Sequence, residues 1–444
     1  MSISESTVFK PTSVRKIAIA FRLVLLLLTA QAHAQITRDQ YIQLETALGD
    51  QSFFSGHLTG FVLYDLDSQL VLFEKNSQLN FIPASTTKLF TLFASLAILQ
   101  DSTQTLRYLP SGDTLKIWGS GDPSWKYLDF HQPDFGKIWS DYPIIQFSDA
   151  NQVSPDFGYG WQWDDYYFDY SAERSSLPIY GNLLQVKKIS GRPEVFPGHF
   201  QSVVRITNRP IKELERDFHS NTFSYNPGTF LGKEKYIPLI TSGELTAELA
   251  QDATGKKWIY KPETLPIVNR SWRGAPLFPL LKEMMLESDN FIAEQMLFMV
   301  SDRLFQSLDT ERAIEYILKT YLFDLPDQPN WVDGSGLSRH NLFTPRSMVA
   351  LFDKLYRILP EHQLLELLPT GGKTGTLKNS YQAAQPYIFA KTGTMSNNHS
   401  LVGLIKTKSG KVYCLAFMNT NYPYSASIVR KEMEKVLLLV RDMM

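Results

Sequence analysis

One stretch constrains the fold more than any other: "NFIPASTTKLFTLFASLAIL", residues 80–99. Pro83 disfavours helix in the residue before it. From Ser85 onward Leu89, Phe90, Leu92, Phe93, Leu96 and Leu99 would cover nearly every side of a helix. A helix apolar all round has no face to give to water, so it must run through an interior with other elements packed around it. The chain has 444 residues, 43% of them hydrophobic, which suits two or three domains and a core of that kind. Yet this helix carries Lys88. A buried ammonium is costly, so its pKa falls, which suits a base. Ser85 lies three residues earlier, about 300° round the helix and about 4.5 Å along it, so the two side chains share a face one turn apart. At a helix start the free N–H groups and the positive dipole end favour an oxyanion. A plainer reading uses the same residues: Ser85 caps the helix and Lys88 reaches back to solvent.

The N-terminus reads as a secretory leader. "KPTSVRKIAIAFRLVLLLLTAQAHAQ" has a basic section (Lys10, Arg15, Lys16, Arg22), an apolar run Leu23–Leu28, and then Ala32-His33-Ala34, so cleavage is expected before Gln35. The run is too short to span a bilayer, and no second long apolar run follows. Residues 1–34 are therefore expected to be a signal peptide and the mature chain to be exported, with no transmembrane segment. A second Ser-x-x-Lys, Ser13–Lys16, falls in this leader and is discarded. Net charge is −1, without basic runs beyond the leader, which argues against nucleic acid as a partner. Cys414 is the single cysteine, so no intramolecular disulfide can form; in "KVYCLAFMN" it reads as core filler. The histidines are scattered, with no His-Glu-x-x-His and no Cys/His cluster, so neither a metal nor a cofactor is expected.

The texture of the chain changes twice. "TRDQYIQLETALGD" reads as an amphipathic helix, and "GFVLYDLDSQLVLFEKN" as two strands around Asp67-Ser68. From about residue 104 short β runs, aromatics and Pro/Gly/Asn/Asp punctuation dominate, and helices resume near 268. Three strand runs, "YIFAKTG", "HSLVGLIKTK" and "KVYCLAFMN", precede a last helix, "SASIVRKEMEKVLLLVRDMM". The expected architecture is one α+β domain, 35–103 with 268–444, split by a mostly β insert over 104–267.

Two further short motifs carry possible chemistry. Ser288-Asp289-Asn290 interrupts the apolar run "LLKEMMLESDNFIAEQMLFMV", where small polar residues cost helix propensity and burial. Either the break presents Ser288 and Asn290 to a cleft, or Ser288 or Asp289 caps the helix from Phe291 onward. Ser224–Asn226 and Ser396–Asn398 repeat the Ser-x-Asn pattern but sit in turn chemistry. Lys-Thr-Gly-Thr occurs twice, at 373–376 and 391–394. Gly372-Lys373-Thr374 matches the end of a phosphate-binding loop, but the required first glycine is Leu367, and "HQLLELLPT" before it reads as a helix rather than a strand. Lys391-Thr392-Gly393 instead follows the strand run "YIFA". A strand there can line a cleft beside the serine's helix, with Gly393 letting a substrate backbone approach closely, Lys391 holding a carboxylate and the Thr394 N–H as an oxyanion donor. A surface lysine ending a strand is the plainer reading.

The three elements come in the order Ser-x-x-Lys, Ser-x-Asn, Lys-Thr-Gly, the set of serine β-lactamases and penicillin-binding proteins. The chain resembles the S13 peptidases, the class C low-molecular-mass penicillin-binding proteins that are D-alanyl-D-alanine carboxypeptidases and endopeptidases. "FIPAST", "WGSGDPSW", "DYSAERSSLPIYGNLLQV", "DGSGLSRHNLFTP" and "LLPTGGKTGTLKNSY" carry the resemblance across most of the mature chain, and the insert is shorter than the family's. It implies a serine β-lactamase/DD-peptidase (transpeptidase-like) fold, a periplasmic location, peptidoglycan stem peptides as substrate and β-lactam antibiotics as covalent inhibitors. It also implies roles: Ser85 as nucleophile, Lys88 as base, Ser288 as proton relay to the leaving amine. Asn290 would hold the substrate amide and orient Lys88, Lys391 with Thr392 and Thr394 would bind the terminal carboxylate, and the Ser85 and Thr394 N–H groups would form the oxyanion hole. Two alternatives remain: a β-lactamase of the same fold, distinguished by deacylation rate, and a non-catalytic muropeptide- or β-lactam-binding module.

Overall fold

A computed structural model describes residues 36–130, 132, 135–189, 192–211, 214–230, 232–267 and 269–444. The leader expected over 1–34 and its Ser13–Lys16 pair lie outside the described residues. Helix α1 (Arg38–Leu48) opens on a capping box: Thr37 Oγ1 accepts from the Gln40 N–H at 3.2 Å, and Gln40 Oε1 from the Thr37 N–H at 2.8 Å. Strands β1 (Leu58–Asp65) and β2 (Leu70–Lys75) pair antiparallel. A 3₁₀ turn at Ala84–Thr87 then leads into helix α2 (Lys88–Ile98).

The next region is built mainly of short strands: β3 (Ser102–Ser111), β4 (Thr114–Gly119), a one-turn helix α3 (Gly136–Trp139), β5 (Ile144–Ser148), β6 (Leu183–Ile189), β7 (Arg192–Phe196), β8 (Val204–Ile206), β9 (Leu214–Arg216), β10 (Phe223–Tyr225) and β11 (Glu234–Pro238). Helix α4 (Gly243–Thr254), β12 (Lys257–Tyr260) and β13 (Arg270–Pro276) complete it. Its largest sheet has the order β12-β5-β4-β3-β13. Because β13 pairs with β3 from Arg270↔Tyr108 to Pro276↔Ser102, this sheet takes in residues on both flanks of the stretch 104–267. Leu106, Ile117, Trp125, Phe147, Leu184 and Trp258 belong to a core of its own.

Helices α5 (Leu277–Leu286), α6 (Asn290–Phe305), α7 (Thr310–Thr320), α8 (Pro345–Ile358) and α9 (Glu361–Leu367) follow, then β14 (Ile388–Met395), β15 (Asn398–Lys406), β16 (Val412–Thr420) and α10 (Ala426–Met443). The two ends of the chain meet in one antiparallel sheet, β14-β15-β16-β1-β2, with β1 registered on β16 from Leu58↔Thr420 to Asp65↔Tyr413. Side chains alternate across it. Val402, Leu404, Ala416 and Met418 join the core of α2 and α5–α9, while Leu401, Ile405, Leu415 and Phe417 pack against α1 and α10. With both faces covered, β15 and β16 are buried almost throughout, which is why their sequences read as continuous apolar runs. Cys414 is buried there, and desolvation pushes its thiol well above the ordinary range. Helix α2 is the interior helix its composition requires: every residue from Lys88 to Ser95 is buried.

Candidate active site

The turn before α2 sets the geometry. Ala84 has φ +48°, a left-handed conformation that costs a side-chain-bearing residue about 1–3 kcal/mol. Ser85 follows in the 3₁₀ turn, where side chains three apart eclipse rather than drift round the axis. Ser85 and Lys88 thus stand in line, Nζ to Oγ 3.0 Å. Lys88 does not reach solvent, and Ser85 does not cap the helix: the lysine is fully buried and its amine has three partners. The other two are Asn290 Oδ1 at 2.6 Å and the Ser335 carbonyl at 2.8 Å. Burial draws the Lys88 pKa down to about 8, opposed by the nearby carboxylates of Asp289, Asp333 and Glu294.

Between α5 and α6 both readings of Ser288-Asp289-Asn290 are realised, by different residues. Asp289 caps α6, accepting from the Ile292 N–H at 2.8 Å, and also takes the Tyr127 hydroxyl at 2.6 Å. Burial raises its carboxyl pKa against these hydrogen bonds. With the cap supplied by Asp289, Ser288 turns back at φ +63° and Asn290 is free to reach Lys88. Asn290 Nδ2 donates to the Tyr170 carbonyl at 2.9 Å, and that acceptor fixes the amide so that Oδ1 faces the lysine. One turn on, Glu294 accepts from the Ser335 N–H at 2.8 Å and from Arg174 at 3.2 Å. Asp333 ties down the same loop, accepting from the Gly336 and Ser338 N–H groups at 2.9 and 2.6 Å, from Asn341 at 2.7 Å and from the Trp161 indole at 2.9 Å. Gly336 has φ +86°, and a Cβ there would collide with the Ala84 carbonyl. This loop delivers the Ser335 carbonyl to Lys88.

Strand β14 is an edge strand, and its register with β15 runs unbroken from Ile388↔Ile405 to Met395↔Asn398. The Ala390 N–H donates outward to the Pro369 carbonyl and the Gly371 N–H to the Ile388 carbonyl. By alternation, Thr392 and Thr394 also turn their backbone groups away from β15, toward the serine. Gly393 is where the two elements touch: a Cβ would strike the Pro83 carbonyl and lie 3.0 Å from Ser85 N. The close approach that requires glycine is thus made by the turn that carries Ser85. Lys391 lies on the opposite face from Thr392 and is fully buried, donating to Ser288 Oγ and to the Thr392 carbonyl, each at 2.9 Å. Burial, with Lys88 nearby, lowers its pKa well below the ordinary lysine value. Strand alternation thus brings the lysine expected to hold a carboxylate onto Ser288.

The first Lys-Thr-Gly-Thr lies in the loop after α9, with Lys373 exposed. Its last residue nevertheless meets the second copy, Thr376 Oγ1 to Thr392 Oγ1 at 2.7 Å. Thr394 Oγ1 contacts His399 Nδ1 at 2.8 Å, and burial drops that imidazole's pKa to about 3, so it stays neutral. Ser85, Asn290 and Thr394 open onto one cavity of about 300 Å³, walled by Asp164, Tyr170 and Arg339. A larger hollow of about 590 Å³, lined by Gln104, Arg273 and Asp302, involves none of the motif residues. Among the described residues no three His, Cys, Asp or Glu side chains are placed to hold a metal ion, and no helix is long and apolar enough to cross a membrane. Motif reading did not assign Tyr170, Glu294, Asp333, Ser335, Thr376 or His399. Two of these act through backbone carbonyls, which leave no residue-type signature.

Residues 40–196 and 265–441 match the model of the D-Ala-D-Ala carboxypeptidase 3 (S13) family. The chain belongs to that family. The D-alanyl-D-alanine carboxypeptidase DacB of Haemophilus influenzae is 24% identical over 422 residues, covering 83% of this chain and 87% of the relative. Carboxypeptidase DacB of Mycolicibacterium smegmatis is 30% identical over 185 residues, 36% of this chain and 39% of that one. The crystal structure of penicillin binding protein 4 from H. influenzae shares the fold, with a TM-score of 0.66 at 19% identity over 91% of this chain and 98% of the other. The fold is therefore α+β, of the S13 DD-peptidase type, and the family match skips residues 197–264 of the β-rich region.

Proposed function

We propose that this protein is a serine D-alanyl-D-alanine carboxypeptidase and DD-endopeptidase, acting on peptidoglycan stem peptides through an acyl-enzyme on Ser85. One observation carries the mechanism: two of the three partners of Lys88, Asn290 Oδ1 and the Ser335 carbonyl, can only accept hydrogen bonds. When the amine is neutral its two hydrogens stay with them, and its lone pair is left facing Ser85 Oγ. Lys88 takes the hydroxyl proton as Oγ bonds to the penultimate D-Ala carbonyl carbon, and the Ser85 and Thr394 N–H groups hold the oxyanion. The C–N bond then breaks. Ser288 relays a proton to the leaving amine, giving up its own hydrogen as it takes one from the Lys391 ammonium that donates to it. Asn290 holds the substrate amide, and Lys391 with Thr392 and Thr394 holds the terminal carboxylate. Water releases the acyl group by the same steps reversed.

Membership of the S13 family and the carboxypeptidase relatives support this reading. β-Lactams acylate Ser85 and leave slowly; the H. influenzae protein of this fold has been crystallised with a β-lactam. The leader sequence supports export to the periplasm, and the texture of the chain supports a catalytic domain of 35–103 and 268–444 around the insert 104–267. The test is labelling with a fluorescent penicillin, with Ser85→Ala as control, alongside D-alanine release from a pentapeptide. Slow-clearing label on the wild type alone, with D-alanine release, is the expected result. Rapid turnover of the label identifies a β-lactamase, and binding without any acylation identifies a non-catalytic module.

A further inference from the structure

Eight of the fourteen residues from Phe157 to Tyr170, "FGYGWQWDDYYFDY", are aromatic, and Gln162, Asp164, Asp165 and Tyr170 of this stretch line the cleft. Two of them anchor the segment. Trp161 is buried with its indole on Asp333 at 2.9 Å, and Tyr166 has its hydroxyl on Glu173 at 2.5 Å and Arg216 stacked on its ring at 4.5 Å. Phe157 and Tyr167 pack against these anchors or their neighbours, and the other four are held open. Trp163 is 71% and Tyr159 72% exposed, and Phe168 and Tyr170 stack on each other at 5.3 Å with both rings exposed. Tyr159 lies flat on His340 at 4.9 Å, and the Tyr170 hydroxyl is pinned to Asp165 at 2.7 Å. Water-exposed aromatic rings on a braced frame are not leftover core; a patch of this kind with a polar rim marks a recognition site.

We infer that this aromatic rim is a subsite for the glycan strand to which the stem peptide is attached, with Trp163 and Tyr159 as stacking platforms. The inference rests on the proposed peptidoglycan substrate. Three observations favour a sugar chain over other occupants. Flat exposed rings match the apolar C–H face of a pyranose. The polar groups beside them, Asp164 and Asp169, are exposed acids that accept from hydroxyl and acetamido N–H groups and repel an anionic lipid surface. The rim is also continuous with the reacting centre, since the Tyr170 carbonyl receives Asn290 and Asp164 walls the same cavity as Ser85. A stem peptide of a few residues spans about 3.3–3.6 Å per residue, so its sugar must arrive near the cleft mouth. Because the frame is braced beforehand, little ordering is needed on binding.

The test compares two substrates in one variant. Trp163→Ala should cleave a soluble D-Ala-D-Ala pentapeptide at the wild-type rate while losing about tenfold in kcat/KM on intact peptidoglycan sacculi. Trp163→Phe should recover most of the loss, and penicillin acylation should be unchanged. In parallel, peptide-free glycan strands should quench the tryptophan fluorescence of Ser85→Ala and not of Ser85→Ala/Trp163→Ala. Equal losses on both substrates, or no loss on sacculi with no quenching, overturn the subsite. Concentration-dependent dimerisation abolished by Trp163→Ala, without glycan binding, assigns the rim to a second copy instead. If the wild type neither binds penicillin nor cleaves the pentapeptide, the enzymatic reading fails, while the fluorescence arm still decides the glycan site.

Discussion

The pH dependence of acylation tests the central claim, that Lys88 is the base, because two buried lysines compete for that role. With a pKa of about 8, Lys88 is mostly protonated at neutral pH. The free-amine fraction is roughly one-hundredth at pH 6, one-tenth at pH 7 and one-half at pH 8. The second-order rate of penicillin acylation should therefore rise about ninefold from pH 6 to 7, about fivefold from 7 to 8, and less than twofold above that. Lys391 is also depressed, so the limb alone does not identify its owner. Asp289 does. Its negative charge is the foremost electrostatic influence holding the Lys88 pKa up, while the Lys391 pKa is lowered by burial and by Lys88. Asp289→Asn keeps an acceptor for the Ile292 N–H and removes the charge. The ammonium of Lys88 loses support, its pKa falls, and the limb moves to lower pH; a limb owned by Lys391, which the Lys88 charge holds down, does not move that way. Stopped-flow acylation from pH 5.5 to 9.5 in both proteins measures this. A flat profile, a limb near the ordinary lysine value, or a limb unmoved by Asp289→Asn would refute the assignment.

Other substitutions probe the surrounding geometry. Lys391→Ala should abolish acylation, whereas Lys373→Ala, at an exposed position, should leave it intact; penicillin labelling of both variants reads this directly. Gly393→Ala forces a methyl into the Pro83 carbonyl and the Ser85 turn, which should cost about 1–3 kcal/mol in denaturant unfolding and slow acylation disproportionately. Arg174→Met leaves Glu294 buried beside Asp333 without its cation and should destabilise the fold by about 3–5 kcal/mol; a stability equal to wild type would argue against the pair. Thr376→Val removes the hydroxyl partner of Thr392, worth about 1 kcal/mol, so KM for a D-Ala-D-Ala peptide should rise severalfold with kcat little changed.

Some elements were legible because their cause is local. The capping box at Thr37 depends only on residues three apart, and the all-round apolar surface of α2 already demands an interior position. Cys414 reads as core because its neighbours alternate and then run apolar. The break at Ser288-Asp289-Asn290 is visible as an interruption, but its division of labour is not: capping and reaching the cleft compete for the same letters until Tyr127 and Ile292 claim Asp289. The Ser335 and Tyr170 carbonyls, which orient Lys88 and Asn290, could be supplied by any residue type, so composition carries no trace of them.

Which side chains are available, and in what order, is written in the chain: a serine and lysine one turn apart, a polar break, and two copies of Lys-Thr-Gly. Which copies converge depends on how distant elements pack. Lys373 and Lys391 share the same local context of Thr-Gly-Thr, but one follows a helix onto an exposed loop and the other sits in an edge strand registered on β15. Strand alternation then turns Lys391 inward to Ser288 and turns the Thr394 backbone toward Ser85. Register and packing are sums over partners far apart in the chain, which is why eighteen residues' separation between two identical motifs yields one lysine in solvent and one fully buried near Ser85 and Lys88.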